Sequence, residues 1–454
     1  MALDDYVLAL VMAGGRGTRL SVLTRDRTKS AVSIHGENRL IDYALTNISN
    51  TGIPGVIIVP QYAPQSLINH VGLGEIWGYE REDKKLEVTP PHEEGKDLFV
   101  TFVGTADSVR KSMDRIKKYD PRVVLVLAGD HVYCMNYEEA IKQHKGTNAD
   151  VTILANPIPE NKVNDFGIMM INEEGKVIDF AEKPKNKEII ERFRLTNRTK
   201  RRLKIHDPKL NFLASMGNYV FFQDKLESIL RYQGDDFGKN IIPAIKENDG
   251  KIYAHIFEGY WRDVGKIKDY FDCNMEFTRE KTPIDLTIHR VKTAKRNLPA
   301  TRIARGAQCD GCILSAGDEI SSGSLVTNSV LGYQVLVEEN CRIDNSIFLG
   351  ANRNEYFNNI PRREYYTLIG AGSRLEYALF DKNVRIGKNV SISPRNGTLQ
   401  EREAKLISIG LKPYEELPNG RAEGDFSIDP ETNILVLGKQ TDSTKLMIPD
   451  NYEG

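Results

Sequence analysis

The chain has 454 residues, 40% hydrophobic and 28% charged, with 62 Lys and Arg against 63 Asp and Glu. That length exceeds one ordinary core and predicts roughly two or three domains, while a formal net charge of -1 offers no basic field for nucleic acid. No apolar stretch is long enough to span a membrane, MALDDYVLAL lacks a basic leader, and five cysteines make no disulfide framework, so a cytoplasmic, reducing setting is expected.

An apolar strand over 7–12 runs into a glycine-rich turn, Gly14-Gly15-Arg16-Gly17-Thr18-Arg19, and then into the cations Arg25, Arg27 and Lys29. A buried strand, bare backbone N–H groups and positive charge in that order suit a polyphosphate. Leu20 stands where a dinucleotide fingerprint needs its third glycine. The turn ends in Thr18-Arg19-Leu20, so it is not a Walker loop either.

Further along, the pattern predicts a helix at Leu40–Thr51, a strand at 56–60 and helical spacing over 106–119. A buried strand at 123–128, a helix at 138–144 and a strand at 151–155 follow. Apolar strands separated by helices imply an α/β domain with a Rossmann-like, mostly parallel sheet and helices on both faces. Ligands bind such sheets beyond the carboxyl ends of the strands. The glycine turn and Gly129-Asp130-His131 each follow a strand directly, so both belong to that edge.

Residues 283–299 read as a linker with a basic patch (Arg290, Lys292, Lys295, Arg296), dividing a domain at 1–282 from one at 300–454. Aliphatic residues then recur every six positions: Leu314, Ile320, Val326 and, after a slip of one, Leu331, Val337, Ile343, Leu349. Fragments continue as Ile369, Leu375 and Val384, Val390. A period of six with Gly, Asn, Asp and Ser between is the mark of a parallel β-helix; ordinary antiparallel strands are the competing reading. Residues 353–366 interrupt the repeat as a loop, and the segment from about Pro394 takes no firm assignment. Cys309 and Cys312, without a second pair nearby, read as small residues at a strand turn rather than as a zinc or redox motif. The cation-dense run Arg198 to Lys204 reads as a solvated face, with an anionic-effector site or subunit contact as the sharper alternative.

The stretch GGRGTRL, LT, R, K closely resembles the signature of nucleotidyltransferases that join sugar 1-phosphates to nucleoside triphosphates. GTADSV, LAGDHVY, FGIM, FAEKP, LASMGNYVF, DFGKNIIP and YWRDVG follow in family order. With NRLIDYALTN and the repeat that follows, the chain resembles the ADP-glucose pyrophosphorylase family from about residue 8 to 392. The resemblance implies a left-handed parallel β-helix at the C-terminal end. It implies Mg²⁺-dependent reaction of ATP with glucose 1-phosphate to give ADP-glucose and pyrophosphate, for glycogen or starch synthesis. It also implies a homotetramer or a hetero-oligomer with a paralogous subunit, and control by a small anionic effector.

The family's functional positions fall on matching residues here. Asp130 and Asp263 match the Mg²⁺ carboxylates, which suits an ion that takes one or two carboxylates together with phosphate oxygens. Arg19 is expected on the ATP phosphates and Lys29 near the α- or β-phosphate, with Gly14, Gly15, Gly17 and Thr18 around the nucleotide. Gln61 and Gly104 match positions that contact the base. Glu182, Lys183 and Ser215 match the sugar-phosphate side, and Asp107 reads either as a contact or as a helix cap.

The chain departs from the family's usual pattern at Ser30, Glu37-Asn38, Cys134 and Asp26, the last in a place that is often basic and linked to effectors. Three alternatives are weighed. An acyltransferase on the β-helix needs a histidine base there, and all eight histidines lie at or before His289. A non-catalytic regulatory subunit is disfavoured because Arg19, Lys29, Asp130, Lys183 and Asp263 are all present. A related enzyme using another nucleotide or sugar 1-phosphate stays open, because pocket shape decides that choice.

Overall fold

The computed structural model describes residues 5–15, 17–89, 102–351, 366–417, 421–440 and 447–454. By their contacts the residues form two units. One is Met1–Gly14, Tyr43–Pro64 and Val71–Trp261; the other is Gly15–Asp42, Gln65–His70 and Arg262–Gly454.

The first unit is built on one mixed sheet. Val7–Ala13 lies at its centre, parallel to Val123–Ala128 on one side and to Gly55–Pro60 on the other, with Lys85–Val88 beyond. All of Gly55–Pro60 and Val123–Ala128 is buried, as expected of strands covered on both faces. The rest of the sheet is antiparallel apart from Ile252–Ile256, which runs parallel to Val151–Pro159. Leu210–Phe222 pairs with Val123–Ala128, Val151–Pro159 and Gly167–Ile171, and Gly167–Ile171 pairs with Val177–Glu182. Leu8, Leu10, Val124, Val126, Phe221 and Ile241 belong to its main core. The helical stretch expected at 106–119 forms as two helices, Thr105–Arg110 and Met113–Lys118. Ala128 ends its strand level with Met12, so Gly14 and Asp130 leave adjacent strands at the same carboxyl edge.

The second unit is a β-helix with three parallel ladders. Partners in its first coils are seventeen residues apart, as in Ile320 with Val337 and Val326 with Ile343. Two steps of six and one of five give that number, which is the slip visible in the sequence. The periodic aliphatics Ile320, Val326, Val337, Ile343, Ile369, Leu375, Val384 and Val390 all line its core. Cys309 and Cys312 are free thiols packed against that core. The loop expected at 353–366 lies, apart from Tyr366, outside the described residues.

The last segment belongs to the coil. After Ser391–Ile392 the chain makes a helix, Leu399–Ser408, whose start is closed by a capping box between Thr398 and Glu401. It then returns as Leu435–Leu437, parallel to Ala378–Phe380, and Ile448 and Glu453 bridge to Ile386 and Ser391.

The segment carrying the glycine-rich signature also groups with the β-helix. Arg27 forms a buried ion pair with Asp381, Ser21 Oγ lies 2.7 Å from Ser427 Oγ, and the Ala316 N–H donates to Glu37 at 3.1 Å. His35 packs on Phe277, its N–H donating to Asn274 at 2.9 Å and its Nε2 to the Cys273 carbonyl at 3.2 Å.

Candidate active site

In the second unit the signature turn is a compact knot. Gly15 and Gly17 adopt φ of +89° and +62°, a region that residues with a Cβ rarely enter. Thr18 heads a short 3-10 turn, Thr18–Thr24, in which the Thr24 hydroxyl donates to the Gly17 carbonyl at 2.9 Å. A Cβ on Gly17 would lie 3.0 Å from the Lys29 Cβ, so the bare backbone lets the lysine stem pass close. Lys29 is 6% exposed, and its ammonium meets Asp263 at 3.2 Å. Arg19 is exposed, and a Cβ on Gly265 would touch both its guanidinium, at 3.4 Å, and the Asp263 carboxylate, at 3.6 Å. Arg19, Lys29 and Asp263 are therefore brought together. Gly265, the last residue of YWRDVG, lies beside both groups and was not singled out from the sequence.

In the first unit Gly14 faces Gln61, whose Nε2 donates to the Phe102 carbonyl. That bond fixes the amide orientation and leaves Oε1 on the side of Gly14. Gly104 abuts Asp235, where a Cβ would collide with a carbonyl oxygen. Asp107 Oδ2 accepts from the Val103 N–H at 3.0 Å and from Lys111 at 2.9 Å, so this carboxylate holds its own helix start. Asp130 is partly exposed, 3.7 Å from His131, whose Nδ1 accepts from the Trp261 indole at 3.2 Å.

On the antiparallel half, Glu182 stands in a niche kept open by two glycines. A Cβ at Gly167 or Gly238 would lie 2.6 or 2.5 Å from its carboxylate. Burial pushes the Glu182 carboxyl above its usual range, and nearby Lys183 opposes that. Lys183 is half exposed, and Ser215 is buried on Leu210–Phe222, its oxygen accepting from the Gly217 N–H at 3.2 Å. Of the run Arg198 to Lys204, Arg198 pairs with Glu173, Lys200 with Asn211 and Arg202 with the Asn172 carbonyl, on an exposed short helix.

Among the described residues, no group of three or more His, Cys, Asp and Glu is arranged to hold a metal. Asp130 in the first unit and Asp263 in the second each offer a hard oxygen donor with part of its surface open, a donor type that fits an ion taking most of its shell from phosphates and water.

The model of the nucleotidyl transferase family matches residues 8–280, and that of the GLGC left-handed parallel beta-helix domain matches 296–410. The chain belongs to the nucleotidyl transferase family. It is 37% identical over 334 residues to a glucose-1-phosphate adenylyltransferase of Thermotoga neapolitana, covering 72% of this chain and 73% of that one. It is 34% identical to the enzyme of that name from Lachnospira eligens (73% and 74% covered) and to that from Bacillus mycoides (77% and 88% covered). The C-terminal unit is thus a left-handed β-helix, and the chain is a nucleotidyltransferase enzyme. Among the described residues no helix is long and apolar enough to cross a membrane.

Sequence reasoning also missed a pocket of about 600 Å³ in the second unit, lined by Arg39, Lys295, Arg296, Lys382 and Lys439 with Asp26 and Glu37. Lys382 is buried there, and desolvation together with Arg39, Arg27 and Arg296 drives its ammonium well below its ordinary pKa. Burial likewise lowers Arg39, to about 10.

Proposed function

We propose that this chain transfers the adenylyl group of ATP to glucose 1-phosphate, releasing pyrophosphate and forming ADP-glucose for a storage glucan, in the cytoplasm and with Mg²⁺. The observation that carries the reading is that each unit holds a site of its own, and the two are of complementary chemistry. One is a glycine-rich turn beside Arg19 and Lys29; the other is the Glu182 niche beside Lys183. The first suits a triphosphate, the second a hydroxylated ring bearing a phosphate.

The sugar phosphate is already an anionic nucleophile at neutral pH and needs no general base. One of its oxygens attacks the α-phosphorus, and the bond to the bridging oxygen of pyrophosphate breaks. Catalysis then consists of positioning two polyanions and cancelling their charge. Arg19 is assigned to the departing pyrophosphate and Lys29 to the α- or β-phosphate, which would replace Asp263 as its partner. Lys183 is assigned to the sugar phosphate, with Glu182 and Ser215 accepting from sugar hydroxyls. Gln61 Oε1 is an acceptor, matching the exocyclic amino group of adenine rather than the carbonyl of uracil. Asp130 and Asp263 would hold Mg²⁺, which supplies charge neutralisation on the phosphates.

The cationic pocket supports the further reading that a small anion regulates the enzyme. Five Lys and Arg side chains line it against Asp26 and Glu37, and a phosphate ester would relieve their repulsion. A tetramer of this chain, or of this chain with a paralogue, is proposed on the resemblance.

One assay tests these readings. Pyrophosphate release is measured for ATP, UTP, CTP and GTP crossed with glucose 1-phosphate and glucosamine 1-phosphate, with and without Mg²⁺. It is then repeated with added phosphate esters on the unaltered chain and on Lys382→Gln. Turnover confined to ATP with glucose 1-phosphate, dependent on Mg²⁺, is expected. Another preferred pair would refute the specificity, and no turnover with any pair would favour the regulatory-subunit reading. An ester response unchanged in Lys382→Gln would remove the pocket from regulation.

A further inference from the structure

The turn that carries Asp130 is held at both ends by one buried side chain. Asn218 is wholly buried on Leu210–Phe222, just after Gly217, which takes φ of +67° where the strand's register breaks between Ser215 and Tyr219. The ladder to Val123–Ala128 ends at Tyr219 opposite Val126. Beyond that point the Asn218 side chain takes over from the backbone. Its Oδ1 accepts the Ala128 N–H at 2.8 Å, and its Nδ2 donates to the Tyr133 hydroxyl at 3.1 Å.

An N–H can only donate, so the Ala128 bond fixes which end of the amide is oxygen. The Tyr133 hydroxyl oxygen then receives from Asn218 and shares a further hydrogen bond with the Tyr137 hydroxyl, 2.6 Å away. Asn47 secures the same segment from the other side, donating to the Tyr133 carbonyl and accepting from the Met135 N–H, both at 3.1 Å. Asp130 lies between Ala128 and Tyr133, and none of these bonds involves its carboxylate. Ser215 lies three residues before Asn218 on the strand that supplies the clamp.

We propose that Asn218 is a positioning residue for Asp130, tying the strand that bears Ser215 to the turn that bears the carboxylate. This rests on the assignment of Asp130 to Mg²⁺ and of Ser215 to the sugar side. A buried amide that uses both ends has no equivalent among apolar residues of its size. Losing it leaves the Ala128 N–H and the Tyr133 hydroxyl without these partners and frees the turn to relax. Groups that orient a metal ligand typically change affinity or activity by roughly 10–100-fold when removed.

The test compares Asn218→Leu, Tyr133→Phe and Asp130→Asn in the full chain. The readouts are kcat, the Mg²⁺ concentration for half-maximal rate, KM for ATP and thermal midpoint. Asn218→Leu is expected to lower kcat by roughly 10–100-fold and to raise the Mg²⁺ requirement several-fold, with KM for ATP within about twofold. Tyr133→Phe removes one oxygen and half the clamp, and should shift kcat and Mg²⁺ requirement in the same direction by less. A folded Asn218→Leu with a lowered thermal midpoint but unchanged kcat and Mg²⁺ dependence would overturn the proposal, leaving a structural residue only. If Asn218→Leu does not fold, Tyr133→Phe decides by the same criterion. Asp130→Asn separates the two failures. Should it keep full kcat and Mg²⁺ dependence, the metal assignment itself is wrong, whatever Asn218 does.

Discussion

Lys183 sits at φ of +45°, in the left-handed region that costs a residue with a Cβ about 1 kcal/mol. Its N–H donates to the Phe166 carbonyl at 3.1 Å, a bond any residue could make, and its side chain is half exposed. Strain without a packing reason, directly after the Glu182 niche, points to a side chain aimed for a ligand. Lys183→Gly relieves the strain and Lys183→Ala keeps it. Both should raise KM for glucose 1-phosphate at least tenfold with a smaller change in kcat. Stability should be no lower in Lys183→Gly than in the unaltered chain, within about 1 kcal/mol, as read by urea unfolding. An unchanged KM in both variants would take Lys183 out of the sugar-phosphate site. At this scale the sequence was informative where the signal is local. Gly14 and Asp130 each follow an apolar run, and Glu182-Lys183-Pro184 is contiguous. Asn218 was not legible, because its partners Ala128 and Tyr133 are 90 and 85 residues away. The cationic pocket was hidden for the same reason, since Arg39, Arg296 and Lys382 converge from distant parts of the chain.

Among elements, the β-helix was readable while its coils ran uninterrupted, because each face repeats the same inward aliphatic position. Its last coil was not readable. A capped helix and a hairpin separate Ser391–Ile392 from Leu435–Leu437, and six-residue counting cannot bridge them. The returning strand nonetheless buries Leu435 and Leu437 against the core, and Ile448 closes the neighbouring face. Leu437→Ala should therefore cost about 2–5 kcal/mol and lower the thermal midpoint. Ile407→Ala, on the exposed side of the helix Leu399–Ser408, should stay within about 0.5 kcal/mol. Equal losses in both would mean that the segment is not part of the core. The sheet of the first unit shows the same contrast. Val7–Ala13, Gly55–Pro60 and Val123–Ala128 are continuous apolar runs and were found from sequence, whereas Lys85–Val88 and Ile252–Ile256 carry polar residues and were not. Val177–Glu182 is mostly half exposed and gives no such run.

At the scale of the whole molecule, each unit carries a histidine whose ring is taken out of water by packing. His35 lies against Phe277 in one, and His144 packs on Phe222 in the other, its Nδ1 2.9 Å from Thr152 Oγ1. Burial pushes His35 down to about 3 and His144 down to about 4, from an ordinary 6.5. Above pH 6.5 neither the folded nor the unfolded chain binds a proton at these rings, so their full contribution is present. As pH falls below 6.5 the unfolded chain protonates first, and stability drains away until the folded rings titrate near 4 and 3. At pH 5 each site should already have cost about 2 kcal/mol. The double variant His35→Gln, His144→Leu removes both titrations. Urea midpoints at pH 7.5 and pH 5 should differ much less for it than for the unaltered chain, even if its stability at pH 7.5 is lower. Equal pH sensitivity in the two proteins would show that carboxylates, not these two rings, set the acid limit of the fold.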